Sequence, residues 1–364
     1  MVSASPDFPS AVILLWFKAH RASRGRSRSA FPCVRLLENQ DCFMVRLIPV
    51  LLLLMLPLTA QESPVDQPRP WPREFKSKAV RFEVTKDRRT GTQIVSTRHF
   101  RIISEPMLGH AQFARFAKVV ESVPELIRGH PMPLWAPRGK GPIDIILCRN
   151  EESFVEAGGR AGAVGWWDGR RARALIRADY FLAPPRPENA RLQPRPDQDL
   201  LVHELVHMSM AGLLERIPPW FLEGVAEYFA VCHQGAGWYL FRDLESLIRD
   251  HLRWAVSRNK VADTYHLVPV GKILSLDHPG WIETAQNQFE GNAYRPYATA
   301  LLLAHYHFHG GVARRVQVAT HLKNIRELSP LSPIPAFPTE KAAEIESRLV
   351  KYWSARGLKL AFGD

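Results

Sequence analysis

The chain has 364 residues, 46% of them hydrophobic and 23% charged, which rules out a disordered chain and allows one large domain or two modest ones. Its formal charge is +12, but residues 1–60 carry seven Lys/Arg and three acids, so the remainder keeps +8. No nucleic-acid-binding module accompanies short basic groups such as Arg170-Arg171-Ala172-Arg173, so the expectation is a solvated basic surface, no nucleic acid, and at most peripheral contact with an anionic envelope or membrane surface.

Met44-Val45-Arg46 leads into an apolar run, Leu47 to Leu58, and then into Thr59-Ala60-Gln61. A basic start, a short apolar stretch and a small residue make 44–60 an expected signal peptide, which implies export to the periplasm or medium. The run is shorter than the roughly 20 residues that span a bilayer. An uncleaved membrane anchor and a buried strand are its other readings. A signal starting at residue 44 implies translation from Met44, with 1–43 an upstream overcall or a disordered stretch. Cys148 and Cys232 are the two cysteines beyond the signal, and they pair only if the fold brings them together.

Residues 61–74 are proline-rich and predict an extended linker, with 75–364 forming the domain. Alternation at Val80, Phe82 and Val84, a turn at Arg88–Gly91 and the run Phe100–Ile103 predict a β-hairpin or meander. Phe113, Phe116, Val119, Val120, Val123, Leu126 and Ile127 recur at helical spacing over 111–128. Residues 143–148 and 174–181 read as strands. A proline-rich loop, 184–196, ends at Asp197, a predicted helix N-cap. Helices are expected over 198–211, from Pro218-Pro219 onward, and near 241–256, 294–309, 312–324 and 340–354. The fold class is therefore α+β: a mixed α/β half with a twisted sheet, then a mainly α-helical half.

Residues 203–207 read His-Glu-Leu-Val-His. Residues four apart share a helix face, so His203 and His207 can reach one cation. Glu204 stands one position round, placed to take a proton from a water that the metal activates. Imidazole and carboxylate donors with one open position suit Zn2+. Fifteen residues separate His207 from Glu223, enough for a turn and an antiparallel return that completes a His2Glu set. Glu227 lies one turn further on the same face. Spacing alone permits either carboxylate as ligand, the other then bonding the second nitrogen of a ligating histidine.

The H-E-L-V-H helix followed by Pro-Pro-Trp-Phe-Leu-Glu-Gly-Val-Ala-Glu-Tyr resembles the gluzincin zinc metallopeptidases, and within them the peptidase-MA-like domain family of exported bacterial proteins. Arg98–Ile102 looks like that family's first strand, Gly165-Trp166-Trp167 and the strand that follows lie where its active-site edge strand falls, and Tyr297 opens a helix of the expected kind. The resemblance covers 95–355. It implies a zincin-like fold, Zn2+ as cofactor, a peptide or protein substrate, Glu204 as general base and Glu223 as third ligand, which leaves Glu227 outside the metal. It also implies that Tyr297 hydrogen-bonds the transition state, with Tyr294 as the alternative and a packed, surface-facing Tyr297 as the plain reading. By fold analogy a peptide would pair with the 174–181 strand. The spacing to Glu223 differs from the aminopeptidase members, so their exopeptidase specificity is not implied, and Leu213 replaces the third histidine that a metzincin needs.

The rival reading is an exported binding or structural protein that zinc only braces, although such sites usually close all four positions with protein ligands. His305, His307 and His309 read either as a second metal site or as cations at a helix C-terminus. Trp166, Trp167 and Trp220 read as core or cleft-wall residues.

Overall fold

In a computed structural model of the chain, the described residues are 70–137, 141–168, 171–182, 198–256, 264–287, 294–329 and 332–363. The expected signal at 44–60, the stretch 1–43, most of the linker, the loop 184–196 and Asp197 lie outside them.

The N-terminal half builds a six-stranded mixed sheet, from which β1 (Glu74–Lys76) stands apart. β2 (Glu83–Lys86) and β3 (Gln93–Ser96) form the expected hairpin. Its turn is closed by Asp87, whose carboxylate accepts from the Arg89 amide at 2.8 Å, and by Gly91 at φ +73°. β4 (Phe100–Ser104) pairs antiparallel with β3. Helix α1 (His110–Gly129) then crosses over to β5 (Ile143–Cys148), because parallel neighbours need a long connection. All seven apolar positions expected on α1 are buried, in one core with Phe100, Ile102, Ile145 and Leu147.

After α2 (Glu151–Glu156) come β6 (Gly165–Asp168), β7 (Arg173–Arg177) and the one-turn α3 (Ala178–Phe181). The strand order is β2-β3-β4-β5-β7-β6. β7 is parallel to β5 on one side and antiparallel to β6 on the other. This corrects the expectation for 174–181: the strand stops at Arg177, and both its edges are already bonded. β6 is the edge. The later strand inserts between β5 and the earlier one, so sheet order departs from chain order.

The helical half comprises α4 (Gln198–Ser209), α5 (Pro219–Cys232), β8 (Trp238–Leu240), α6 (Leu244–Ala255), β9 (Tyr265–Leu267), α7 (Val270–Ser275), α8 (His278–Asn287), α9 (Arg295–His309), α10 (Val312–Glu327), α11 (Ala342–Ser354) and β10 (Leu360–Phe362). β1 pairs with β8, and β9 pairs with β10. Every residue of α5 is buried, as suits a helix that is apolar nearly all round, and Glu223 and Glu227 are its only charges. α5 crosses α9 so closely that a Cβ at Gly224 would stand 2.2 Å from the Ala300 carbonyl oxygen. Glycine is therefore required beside Glu223 by packing, and Ala298, Ala300 and Ala304 give α9 its matching small residues.

The end of the expected linker is packed rather than extended. The Trp71 indole N–H donates to the Tyr228 hydroxyl at 2.9 Å, and the ring lies edge-on to His130 and His309. Cys148 and Cys232 are buried and unpaired. No helix among the described residues is long and apolar enough to cross a membrane.

Candidate metal centre

α4 presents His203 and His207 toward α5, which returns Glu223 to the same point. The two Nε2 atoms stand 2.9 Å apart, and Glu223 Oε2 lies 3.2 Å from that of His203 and 3.5 Å from that of His207. Two donors each about 2.1 Å from zinc at a tetrahedral angle stand about 3.4 Å apart. The three separations bracket that value, and the three residues are no more than 2% exposed. Among the described residues this is the one group of three or more such donors that converges.

The charges agree with the geometry. Burial opposes a charged His203, yet Glu223 and Glu227 outweigh it and raise the imidazole to about 10. Burial opposes an ionised Glu223 too, but His207 and His203 hold it down at about 2. Burial lowers His207, with Glu223 pulling the other way. A buried carboxylate thus keeps a proton on a neighbouring imidazole, and positive charge is what the pocket requires. The residues fit a divalent cation of the zinc kind.

Glu204 does not join the three donors. It is buried, its Oε1 has no hydrogen-bond partner, and burial, followed by the Glu223 charge working against the His203 charge, raises it to about 7. Its side chain runs under the edge strand, where a Cβ at Gly165 would lie 2.6 Å from Glu204 Cγ. The glycine opening β6 is thus what lets the sheet edge and the carboxylate meet.

Glu227 lies one turn beyond Glu223, with Oε1 3.0 Å from His203 Nδ1, off the ring N–H axis. Its Oε2 accepts from the Tyr294 hydroxyl and lies 3.2 Å from His251 Nε2. Burial opposes its charge, but His203 and His251 hold it well below the carboxylate range. His251 was not foreseen. The signal available was a histidine in the apolar register of α6, on the face that buries Leu244, Leu247, Ile248 and Leu252.

Tyr297 is 3% exposed, which overturns the surface-facing reading of its hydroxyl. Burial first, then the Glu223 charge among others, raises its phenol well above the usual value, so it stays a hydrogen-bond donor beside these carboxylates. Its ring stacks on Tyr294 and meets Trp281 edge-on. Tyr294 is turned to Glu227 instead.

Other residues near these helices serve packing. Arg216, in the turn between α4 and α5, donates to the Ile325 and Leu328 carbonyls at 2.6 and 2.9 Å, at the end of α10. His305 stacks on His309, while His307 packs against Trp220 and Phe337. Trp167 and Trp220 are buried core residues. Neither a scan of known protein families nor a search of curated proteins finds a match to the chain.

Proposed function

We propose that the protein is a zinc-dependent peptidase with a zincin-like arrangement of sheet and helices, acting on peptides or proteins outside the cytoplasm. One observation carries this reading: a converging His203–His207–Glu223 donor set with an unpartnered carboxylate, Glu204, between it and an edge strand. Three protein donors leave a fourth position open, as catalytic zinc sites do. Zinc bound there would supply Lewis acidity and a lowered water pKa.

The chain's own groups supply the rest. The unbonded Glu204 oxygen accepts the proton of the attacking water and returns it to the departing amide nitrogen. The Tyr297 hydroxyl, held protonated, donates toward the oxygen on which negative charge grows. Among the described residues β6 is the edge strand beside Glu204, so pairing with an extended peptide is assigned to 165–168 rather than to 174–181. Export rests on the signal-like sequence at 44–60.

The depth of the site favours a second reading, a zinc that braces the fold of an exported binding protein, because no donor or base is more than 4% exposed. Glu204→Gln separates the two. As a peptidase it loses about 10²–10⁴-fold in peptide-library cleavage while keeping one zinc per chain. Undiminished turnover in Glu204→Gln sinks the mechanism, and a wild type that binds zinc but cleaves nothing leaves the bracing role.

A further inference from the structure

The contacts behind His203 extend past Glu227 to two helices that contribute no metal donor. Tyr294 caps the start of α9 and His251 projects from the buried face of α6. The Tyr294 hydroxyl bonds to Glu227 Oε2 and lies against His251 Nε2. We propose that His251 and Tyr294 form an outer clamp that fixes the direction of these hydrogen bonds and so holds His203 in the tautomer that offers Nε2 to a cation. This rests on the metal-centre reading above.

A hydroxyl can donate or accept, so Tyr294 alone fixes no direction. The clamp places the N–H of His251 at Nε2, which faces the Tyr294 oxygen and stands 3.2 Å from Glu227 Oε2, and that N–H removes the choice. It occupies the tyrosine oxygen as acceptor and sends the phenolic proton to Glu227. Glu227 is then an ionised acceptor with Oε2 satisfied, and Oε1 stands 3.0 Å from His203 Nδ1. The only stable partner for Oε1 is an Nδ1–H, which leaves the Nε2 lone pair free for the metal. The polarity runs one way, from His251 through Tyr294 to Glu227, and from His203 back to the same carboxylate. The contact at Nδ1 is off axis, and the clamp requires the imidazole to turn into line with Oε1. Stacking of Tyr294 on Tyr297, with rings 5.8 Å apart and 21° from parallel, makes the clamp also the back wall of the tyrosine assigned to the transition state. His251 and Tyr294 are positioning residues; neither touches the donor point.

The test is zinc affinity, measured by chelator competition on the full folded chain in wild type, Tyr294→Phe, His251→Leu, His251→Gln, Glu227→Gln and the pairs with Glu227→Gln. Loss of an outer partner typically weakens a metal site about 10–100-fold. Tyr294→Phe and His251→Leu are each expected to weaken zinc binding about 10-fold. His251→Gln, which returns an N–H near the Nε2 position, should recover most of that. Neither change should add to the loss in Glu227→Gln, because both act through that carboxylate. Unchanged affinity in both single variants, or losses that add fully to Glu227→Gln, overturns the clamp. Loss of melting temperature in the zinc-free forms without the Glu227 dependence also overturns it, leaving only packing. A wild type that binds no zinc removes the metal centre itself and the clamp with it, a result distinct from normal binding with insensitive variants.

Discussion

Two buried groups of histidines lie in the helical half, and their surroundings are opposite. At the α4–α5 crossing, His203 and His207 face Glu223 and Glu227, and His203 is raised to about 10 once those carboxylates overcome burial. At the far end of α9, His305, His307 and His309 meet aromatic rings and one another, joined by His130 from the end of α1. There burial leads, and it holds His130 at about 3 and both His307 and His309 at about 4. Residue type is the same, and of these histidines His309 alone is half-buried; the carboxylates make the difference. Placing two of them in the most buried helix costs several kcal/mol per ion unless a cation answers them. The α9 group is therefore neither a set of cations at a helix end nor a converging donor set.

Breaking the carboxylate side should have the largest effect. Glu223→Ala is expected to abolish stoichiometric zinc binding, whereas loss of Glu227 should weaken it about 10–100-fold. The opposite ranking in zinc titrations would exchange their roles. Gly165→Ala comes next: its Cβ, built 2.6 Å from Glu204 Cγ, displaces the carboxylate without touching a metal donor. Misplacement of that order costs roughly 10²-fold in kcat. Zinc content should stay constant, and a Gly165→Ala variant that cleaves as fast as wild type would place the proposed base elsewhere.

Tyr297→Phe removes one hydroxyl and little volume. A fall of roughly 10²-fold in kcat at unchanged zinc content is expected for a transition-state donor. An unchanged kcat would return Tyr297 to the core. The smallest effect concerns the α9 group. Its histidines are depressed from an ordinary value of about 6.5, so below that pH the unfolded chain binds more protons than the folded one. Their stability contribution is present above pH 6.5 and is lost as pH falls through about 4. Each such group steepens the loss by up to about 1.4 kcal/mol per pH unit. Neither ring nitrogen of His307 has a hydrogen-bond partner, so His307→Phe should barely change stability at pH 8. It should flatten the acid limb of zinc-free denaturation curves by about one proton. Superimposable limbs in wild type and variant would show that His307 is protonated while folded.

What the sequence revealed follows the range of the interactions. The His203–His207 spacing is a property of one helix turn, and the Glu223 helix carries its own proline start and its own Glu-Gly pair. His251 entered from α6, and nothing near it in the chain announces Glu227 as its partner. β1, β8, β9 and β10 have three residues each and exist only through partners far along the chain, so local pattern was silent about them. The choice between β6 and β7 failed for a related reason. Residues 174–181 are the more apolar, and an apolar strand is the one a sheet encloses on both sides.

Trp71 sets a limit on how far the amino end can be shortened. A cut on the amino-terminal side of Trp71 keeps the contacts of its indole with Tyr228, His130 and His309 and the pairing of β1 with β8. A cut beyond Lys76 takes away the indole that fills the space between His130 and His309 and the strand that completes β8, leaving Tyr228 without its indole partner. That limit is thus written in one aromatic side chain, inside the stretch that the proline content alone predicts to be an extended linker.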